Sequence, residues 1–396
     1  MKICIIGGGT SGWWTAGHLE KKLDAKVTLY ESANIPIIGV GESTLPQVKY
    51  FFEDLGIDES EWFNECKAVH KFGNKKYYWD DETQPFTFSF WQDNNEFDKL
   101  KQTKSREEIH DYIQETDGWN DVGYHFDATK AGEIVKSKCK NVEHIIDDLT
   151  ELPSGFDLYI DCTGFNRKFI KDKTLTLQNH HKTNRCWVVQ TKLRHEDKSN
   201  YTISYARKFG WQFFINLQNR TGTGYVFSNE YVNEIDALYE FKKYLQHREL
   251  ITKPRLLEWE VGVLEKPWQE NVVAIGNSAG FIDPLEATSL YMTVYSIMNL
   301  SNCMLQNRKK EVYNKSMLKV WKECSNFIKC HYMLTKKKDT DFWKYYFEKR
   351  DDYKKIIWDN YLSKGNKFTN LFPSSMWAQL GLYYNEFDYY RPRQTK

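Results

Sequence analysis

Apolar residues fall in short runs early and midway along the chain, and at helical spacing towards its end. Residues 3–6 (ICII) form one such run and predict a short buried strand. Glycines follow at once, then a stretch over 11–23 whose spacing predicts a helix. Residues 26–30 predict a second strand, so the opening is a β–α–β unit. Residues 156–164 and 272–276 each show an apolar strand running into a small polar turn, and the second leads into a long apolar helix over 288–305. Between them, 187–193, 201–205 and 211–217 are rich in aromatic and β-branched residues, which predicts an antiparallel sheet with RTGTG at 220–224 as a hairpin turn. From 311 onward charged and aromatic residues recur at helical spacing, ending in a polar tail over 391–396 that is expected to fray.

The glycines carry the first chemistry. Gly7, Gly9 and Gly12 form G-x-G-x-x-G between the first strand and helix, within GGGTSGWW at 7–14. The first permits a tight turn, the second lets backbone approach a pyrophosphate, and the third lets helix and strand pack closely. Thr10, Ser11 and Trp13 fall in the same turn, where free N–H groups favour phosphate. Glu31 follows Gly12 by nineteen residues and is placed to accept from ribose hydroxyls. The motif predicts a dinucleotide without separating NAD from FAD. Spreading the site over three distant segments, the last holding Gly276 and Asn277, favours an FAD-monooxygenase-like arrangement.

Composition narrows the field. With 396 residues and a net charge of +1, the chain has room for several cores and no electrostatic bias towards nucleic acid or a charged membrane. The eight cysteines show no C-x-x-C or zinc spacing, which predicts reduced thiols, no metal site and a cytoplasmic setting. No run approaches the length of a membrane span.

At this point the residues resemble the flavin-dependent tryptophan halogenases. GGGTSGW matches that family's opening, and PIIGVGESTLP at 36–46 looks like its flavin strap, adding Gly39, Val40, Gly41, Glu42 and Ser43 as cofactor contacts. CKAVHKF at 66–72 resembles the segment carrying the family's active-site lysine. HFDA at 125–128, IDCTG at 160–164, GYVFS at 224–228 and FIDPLEAT at 281–288 have counterparts, as do His331-Tyr332 and DTDFW at 339–343. The resemblance implies halogenation of an indole- or phenol-like substrate, dependent on FADH2 and O2. A flavin C4a-hydroperoxide would yield hypohalous acid, which a lysine guides to the ring. It further implies a separate flavin reductase as transient partner, no nucleic-acid or membrane partner, and a possible homodimer. By transfer, Lys67 is the lysine, with Lys71 as runner-up. Glu286 is the carboxylate, with Asp283 as the weaker choice. Thr288 and Ser289 offer N–H groups to the halide, and His70 and His125 are structural.

Departures matter too. The family's W-x-W-x-I-P appears as WQFFIN at 211–216, leaving Trp211 and Phe213 to keep substrate from the flavin. Ala287 stands where the family has serine, and Ser289 where it has glycine. Family members are longer after the DTDFW element. There YYFE at 345–348 is not securely matched to the family's substrate clamp, and MWAQLGL at 376–382 resembles a later helix. A shortened lid implies a more open pocket. Two alternatives stay open, an FAD-dependent aromatic monooxygenase of the same fold and a catalytically inactive flavin-binding module. The expected fold class is α/β. It comprises a first FAD-binding part over 1–182, an antiparallel substrate-side sheet over 183–260, a strand–turn–helix over 261–305 and a C-terminal helical region over 306–396.

Overall fold

A computed structural model describes residues 1–35, 39, 41–80, 85–90, 122–245 and 247–350, with residues 356, 371, 372, 376, 377 and 380. Pro36, Ile37, Ile38, Val40, most of MWAQLGL and the 391–396 tail lie outside these residues.

The opening strand, Lys2–Ile6, is buried from Ile3 onward and sits in the middle of a six-stranded sheet. Its parallel neighbours are Lys26–Glu31 and Leu158–Asp161. Glu143–Ile146 and Val272–Ala274 extend the sheet in parallel on either side, and only the edge strand Trp268–Gln269 runs antiparallel. Helix Thr10–Lys22 packs on this sheet between helices Ala128–Lys138 and Thr288–Leu305. Three widely separated segments therefore share one nucleotide-type sheet, and the α/β class is borne out. The carboxylate of Asp161, at the tip of its strand, accepts from the N–H groups of Thr163 (3.0 Å) and Phe169 (2.8 Å) and from the Ser278 hydroxyl (3.1 Å). One buried acid thus ties the second and third turns together.

The second large sheet has seven strands, ordered Arg255–Glu258, Arg185–Lys192, Arg220–Phe227, Gly210–Asn216, Tyr201–Arg207, Gly73–Tyr77 and Phe86–Ser89. It is antiparallel apart from the Gly73–Tyr77/Tyr201–Arg207 pair. Two departures from the sequence-based expectation stand out. RTGTG is strand rather than turn, and the chain reverses before it, where Leu217 N donates to Arg220 O (2.9 Å). The glycine is needed inside the strand because a Cβ on Gly224 would lie 2.6 Å from the Phe213 ring. The sheet also recruits strands from before residue 90, outside the expected 183–260 span. One face packs on helix Glu234–Tyr244 through Val189, Tyr225, Phe227 and Phe241. The opposite face, with Cys186, Val188, Trp211, Phe213 and Ile215, looks across a cavity towards the nucleotide sheet.

Two long helices, Thr288–Leu305 and Lys310–Met333, and the short Asp341–Phe347 complete the body, so the described part of the 306–396 region is helical. No helix among the described residues is long and apolar enough to cross a membrane.

His18 pins helix Thr10–Lys22 to its neighbours. Its Nε2 lies 2.8 Å from the Ser301 hydroxyl and its Nδ1 3.3 Å from Asp54. Burial lowers this imidazole from 6.5 to about 4, against the pull of Asp54. The folded protein therefore resists a proton that the unfolded chain accepts below its ordinary value of about 6.5. Stability from this site is full above that pH and is lost as pH falls towards 4, by roughly 3 kcal/mol. Denaturant midpoints at pH 7 and 4.5 should separate widely in the native protein, and replacing His18 with glutamine should narrow that separation by the share of this site, His181 and His331 (also held neutral by burial) supplying much of the rest. An unchanged separation would show that the acid sensitivity lies elsewhere.

Candidate active site

A continuous cavity of about 770 Å³ runs from the glycine turn to Glu286. At its first end the glycines behave as the motif predicts. Gly7 has φ +117, and a Cβ there would stand 2.3 Å from the Cys162 carbonyl oxygen. A Cβ on Gly12 would fall 1.8 Å from the Gly7 carbonyl oxygen. Gly9, by contrast, faces open space. Gly9 also precedes helix Thr10–Lys22 with no side-chain cap, which leaves the first-turn N–H groups to a ligand. Gly7, Gly9, Thr10, Ser11, Glu31, Gly41, Glu42, Ser43 and Asn277 all line the cavity.

Other expected contacts stand behind it. Gly12 and Gly276 are packing positions, since a Cβ on Gly276 would meet the Ser11 hydroxyl at 2.3 Å. Trp13 turns its ring edge to His144 (centroids 5.0 Å), and the Gly39 carbonyl accepts from Gln190 Nε2 (2.7 Å). The Glu31 carboxylate takes His144 Nε2 at 2.8 Å. A glycine turn closed to side chains at Gly7 and Gly12 and open at Gly9, uncapped N–H groups and a carboxylate at the second strand's end fit FAD. These residues would hold its pyrophosphate and ribose.

The strap enters as strand Glu42–Ser43 of a three-stranded sheet with Gly123–Phe126 and Val69–Lys71. That pairing brings Lys71 to the strap, where its Nζ donates to the Thr44 carbonyl (3.2 Å). Ser43 and Thr202 share a hydrogen bond (2.9 Å), and His125 Nε2 lies 2.7 Å from Thr202. His70 instead pairs with Glu59 (3.1 Å). Burial raises the Glu42 carboxyl to about 7, with Asp127 adding and Arg220 opposing.

At the far end Glu286 is fully buried and sits on a sharp turn. Glu286 and Ala287 are consecutive left-handed residues, at φ +70 and +57. Asp283 braces the turn, accepting from the Thr183 hydroxyl, from Tyr332 (2.9 Å) and from Leu285 N (2.8 Å). The Glu286 carboxylate pairs with Lys76 through one oxygen and accepts from Asn74 Nδ2 through the other (2.8 Å). His331 Nε2 lies 3.3 Å away. Burial, with the Lys76 charge adding, keeps that imidazole neutral. Helix Thr288–Leu305 starts here without a side-chain cap. Ser289 lines the cavity, whereas Thr288 turns its hydroxyl towards Cys324 (3.4 Å). Trp211 and Phe213 line the cavity wall.

Lys67 does not join this group. Cys66 and Ala68 on either side are fully buried, and Lys67 between them is exposed, at φ +52 in the turn before strand Val69–Lys71. Lys71 and Lys76 are both fully buried. Sequence reasoning gave Lys76, Asn74 and Ser204 no role. Ser204 is the cross-strand neighbour of Lys76, and its buried hydroxyl lines the cavity with no partner among the described residues.

The family model described as tryptophan halogenase matches residues 2–120 and 121–383. The chain belongs to the tryptophan halogenase family. Tryptophan 7-halogenase RebH of Lentzea aerocolonigenes is 27% identical over 426 residues, covering 87% of this chain and 78% of RebH. Tryptophan 6-halogenase SttH of Streptomyces toxytricini is 26% identical, covering 87% of this chain and 80% of SttH. The crystal structure of a tryptophan halogenase from Shewanella frigidimarina superposes with a TM-score of 0.81 at 25% identity, covering 98% of this chain and 88% of that one. As a member of this family the chain is a flavin-dependent halogenase, an oxidoreductase acting on aromatic substrates. The family implies FAD, halide and O2 as its reactants.

Proposed function

We propose that this halogenase substitutes an electron-rich aromatic ring, indole- or phenol-like, with Lys71 receiving the oxidant and Glu286 serving the ring. The observation that carries this is a buried carboxylate at the end of the flavin-type cavity, bound by Lys76 and within electrostatic reach of the buried Lys71 amine. Bound at the glycine turn, reduced flavin would with O2 and halide supply hypohalous acid. Every later task falls to side chains of this chain. An uncharged amine attacks the halogen of hypohalous acid, giving a haloamine and water, and the haloamine then passes its halogen to the ring carbon. The Glu286 carboxylate stabilises the cationic ring and accepts the ring proton. The uncapped start of helix Thr288–Leu305, next to Ser289, suits the halide. Trp211 and Phe213 separate the two ends of the cavity, so the small oxidant passes while the aromatic substrate is held back.

The names of relatives, tryptophan 6- and 7-halogenases, support an indole as the first class to try. Nothing in the sequence supplies a second nucleotide motif for NADH, in line with a separate flavin reductase. The test is a turnover screen with FAD, a flavin reductase and NADH, giving chloride, bromide or iodide separately over indoles and phenols, read by mass spectrometry. A halogen mass shift is expected. A +16 shift independent of halide would move the assignment to a monooxygenase, and no product with any pair would leave a flavin-binding module.

A further inference from the structure

Lys71, Lys76 and Glu286 form a buried group with two amines and one carboxylate. Lys76 is bound directly to Glu286, and its Nζ lies 5.9 Å from the Phe88 ring centroid. Lys71 makes no such pairing. Its Nζ donates to a neutral acceptor, the Thr44 carbonyl at 3.2 Å, and lies 4.9 Å from the Phe90 ring centroid. The charged or titratable groups facing Lys71 are Glu286 from the turn before helix Thr288–Leu305 and Lys76 from strand Gly73–Tyr77. Among the described residues the strap offers the Thr44 carbonyl. His331, beyond Glu286 on helix Lys310–Met333, is neutral. One carboxylate balances one ammonium. A second ammonium in the same dry group would be an uncompensated buried charge, and such groups lose their proton instead.

We propose that Lys76 is a positioning residue for halogenation: it occupies Glu286 as a buried counter-ion and thereby leaves Lys71 as the uncharged nucleophile. The inference rests on the assignment of Lys71 as the residue that meets the oxidant. In that step the Lys71 lone pair forms the nitrogen–halogen bond, the oxygen–halogen bond breaks, and the amine proton leaves with the oxygen as water. Halogen transfer to the ring leaves the nitrogen one proton short, and the ring proton taken up by Glu286 is returned to it, so the amine is regenerated with no further oxidant or reductant. An ammonium has no lone pair and cannot begin the sequence. The electrostatics run the same way, since burial pushes the Lys71 amine down to about 7, with Lys76 adding and Glu286 opposing. The same carboxylate already opposes burial at Lys71, and without the Lys76 charge it would do so unopposed.

Lys76→Met removes the counter-ion and frees Glu286 to pair with Lys71, which should then hold its proton. The acid limb of the kcat/KM profile should move up by about one pH unit, a tenfold loss on that limb. Lys76→Arg keeps the charge and should restore the native limb. A readout independent of turnover is the titration of 13Cε-labelled lysine by NMR in the flavin-free protein, with the Lys71 resonance identified by its loss in Lys71→Arg. Its midpoint should lie near neutrality in the native chain. It should rise in Lys76→Met and stay down in Lys76→Arg. If the methionine variant fails to fold, Glu286→Gln gives the opposite sign, since removing the carboxylate should lower the midpoint. A midpoint in the ordinary lysine range, or one indifferent to both substitutions, overturns the proposal. A shifted midpoint with no halogenation of any substrate would leave the charge arrangement standing and remove the halogenation assignment.

Discussion

Lys71→Ala is expected to abolish halogenation, by at least roughly a hundredfold, while Lys67→Ala keeps close to the native rate. The contrast is the point of the experiment. Both lysines lie in the CKAVHKF segment, yet one is fully buried and bonded to the strap carbonyl while the other is exposed. FAD binding, followed by flavin absorbance, should be retained in both variants, because neither residue touches the glycine turn, with at most a modest weakening in Lys71→Ala from the lost bond to the strap carbonyl of Thr44. Single-turnover product yield with reduced flavin and bromide is the measurement. Loss of product in Lys67→Ala with retention in Lys71→Ala would reverse the assignment. Loss in neither would take both residues out of the chemistry.

The second large effect is on stability. Glu286→Ala leaves Lys76 buried with no counter-ion, and breaking such a pair costs about 3–5 kcal/mol. The double replacement Lys76→Met with Glu286→Leu removes both charges and substitutes apolar volume, so it should recover most of that loss while remaining inactive. Urea denaturation of the two variants decides the matter. Equal destabilisation would mean that the ion pair is not what the single substitution disrupts.

The parts legible from sequence were those set by local pattern. The glycine turn, helix Thr288–Leu305 and strand Leu158–Asp161 all follow from apolar runs bounded by small residues. Glu286 was legible for a physical reason as well, because an acid in an apolar stretch must find a partner. Lys76 was not. Next to Lys75 it reads as half of a solvated charge pair, and only the parallel pairing with Tyr201–Arg207 turns its side chain inward. RTGTG reads as a turn because glycine breaks strands locally, whereas here Gly224 makes room for the Phe213 ring, a contact made from the neighbouring strand. Lys67 resembles the family's lysine through the residues of the CKAVHKF segment. The burial of Cys66 and Ala68, which sends Lys67 outward, comes from the tertiary environment. Segments whose environment is built by distant strands are where local pattern has least to say.

The braid of the nucleotide sheet has a kinetic consequence. Its middle strand is made first, at residues 2–6, yet the strand beyond its Leu158–Asp161 neighbour comes at 272–274, and the Ser278 hydroxyl bonded to Asp161 follows it. Closing such long loops is entropically costly before any contact repays it, and folds of high contact order assemble slowly. A nascent chain that has released only its first half therefore exposes a complete glycine motif with no pocket to hold the flavin. Cofactor capture is a late event of biosynthesis, and truncations short of residue 290 should yield aggregation-prone chains rather than weak flavoproteins.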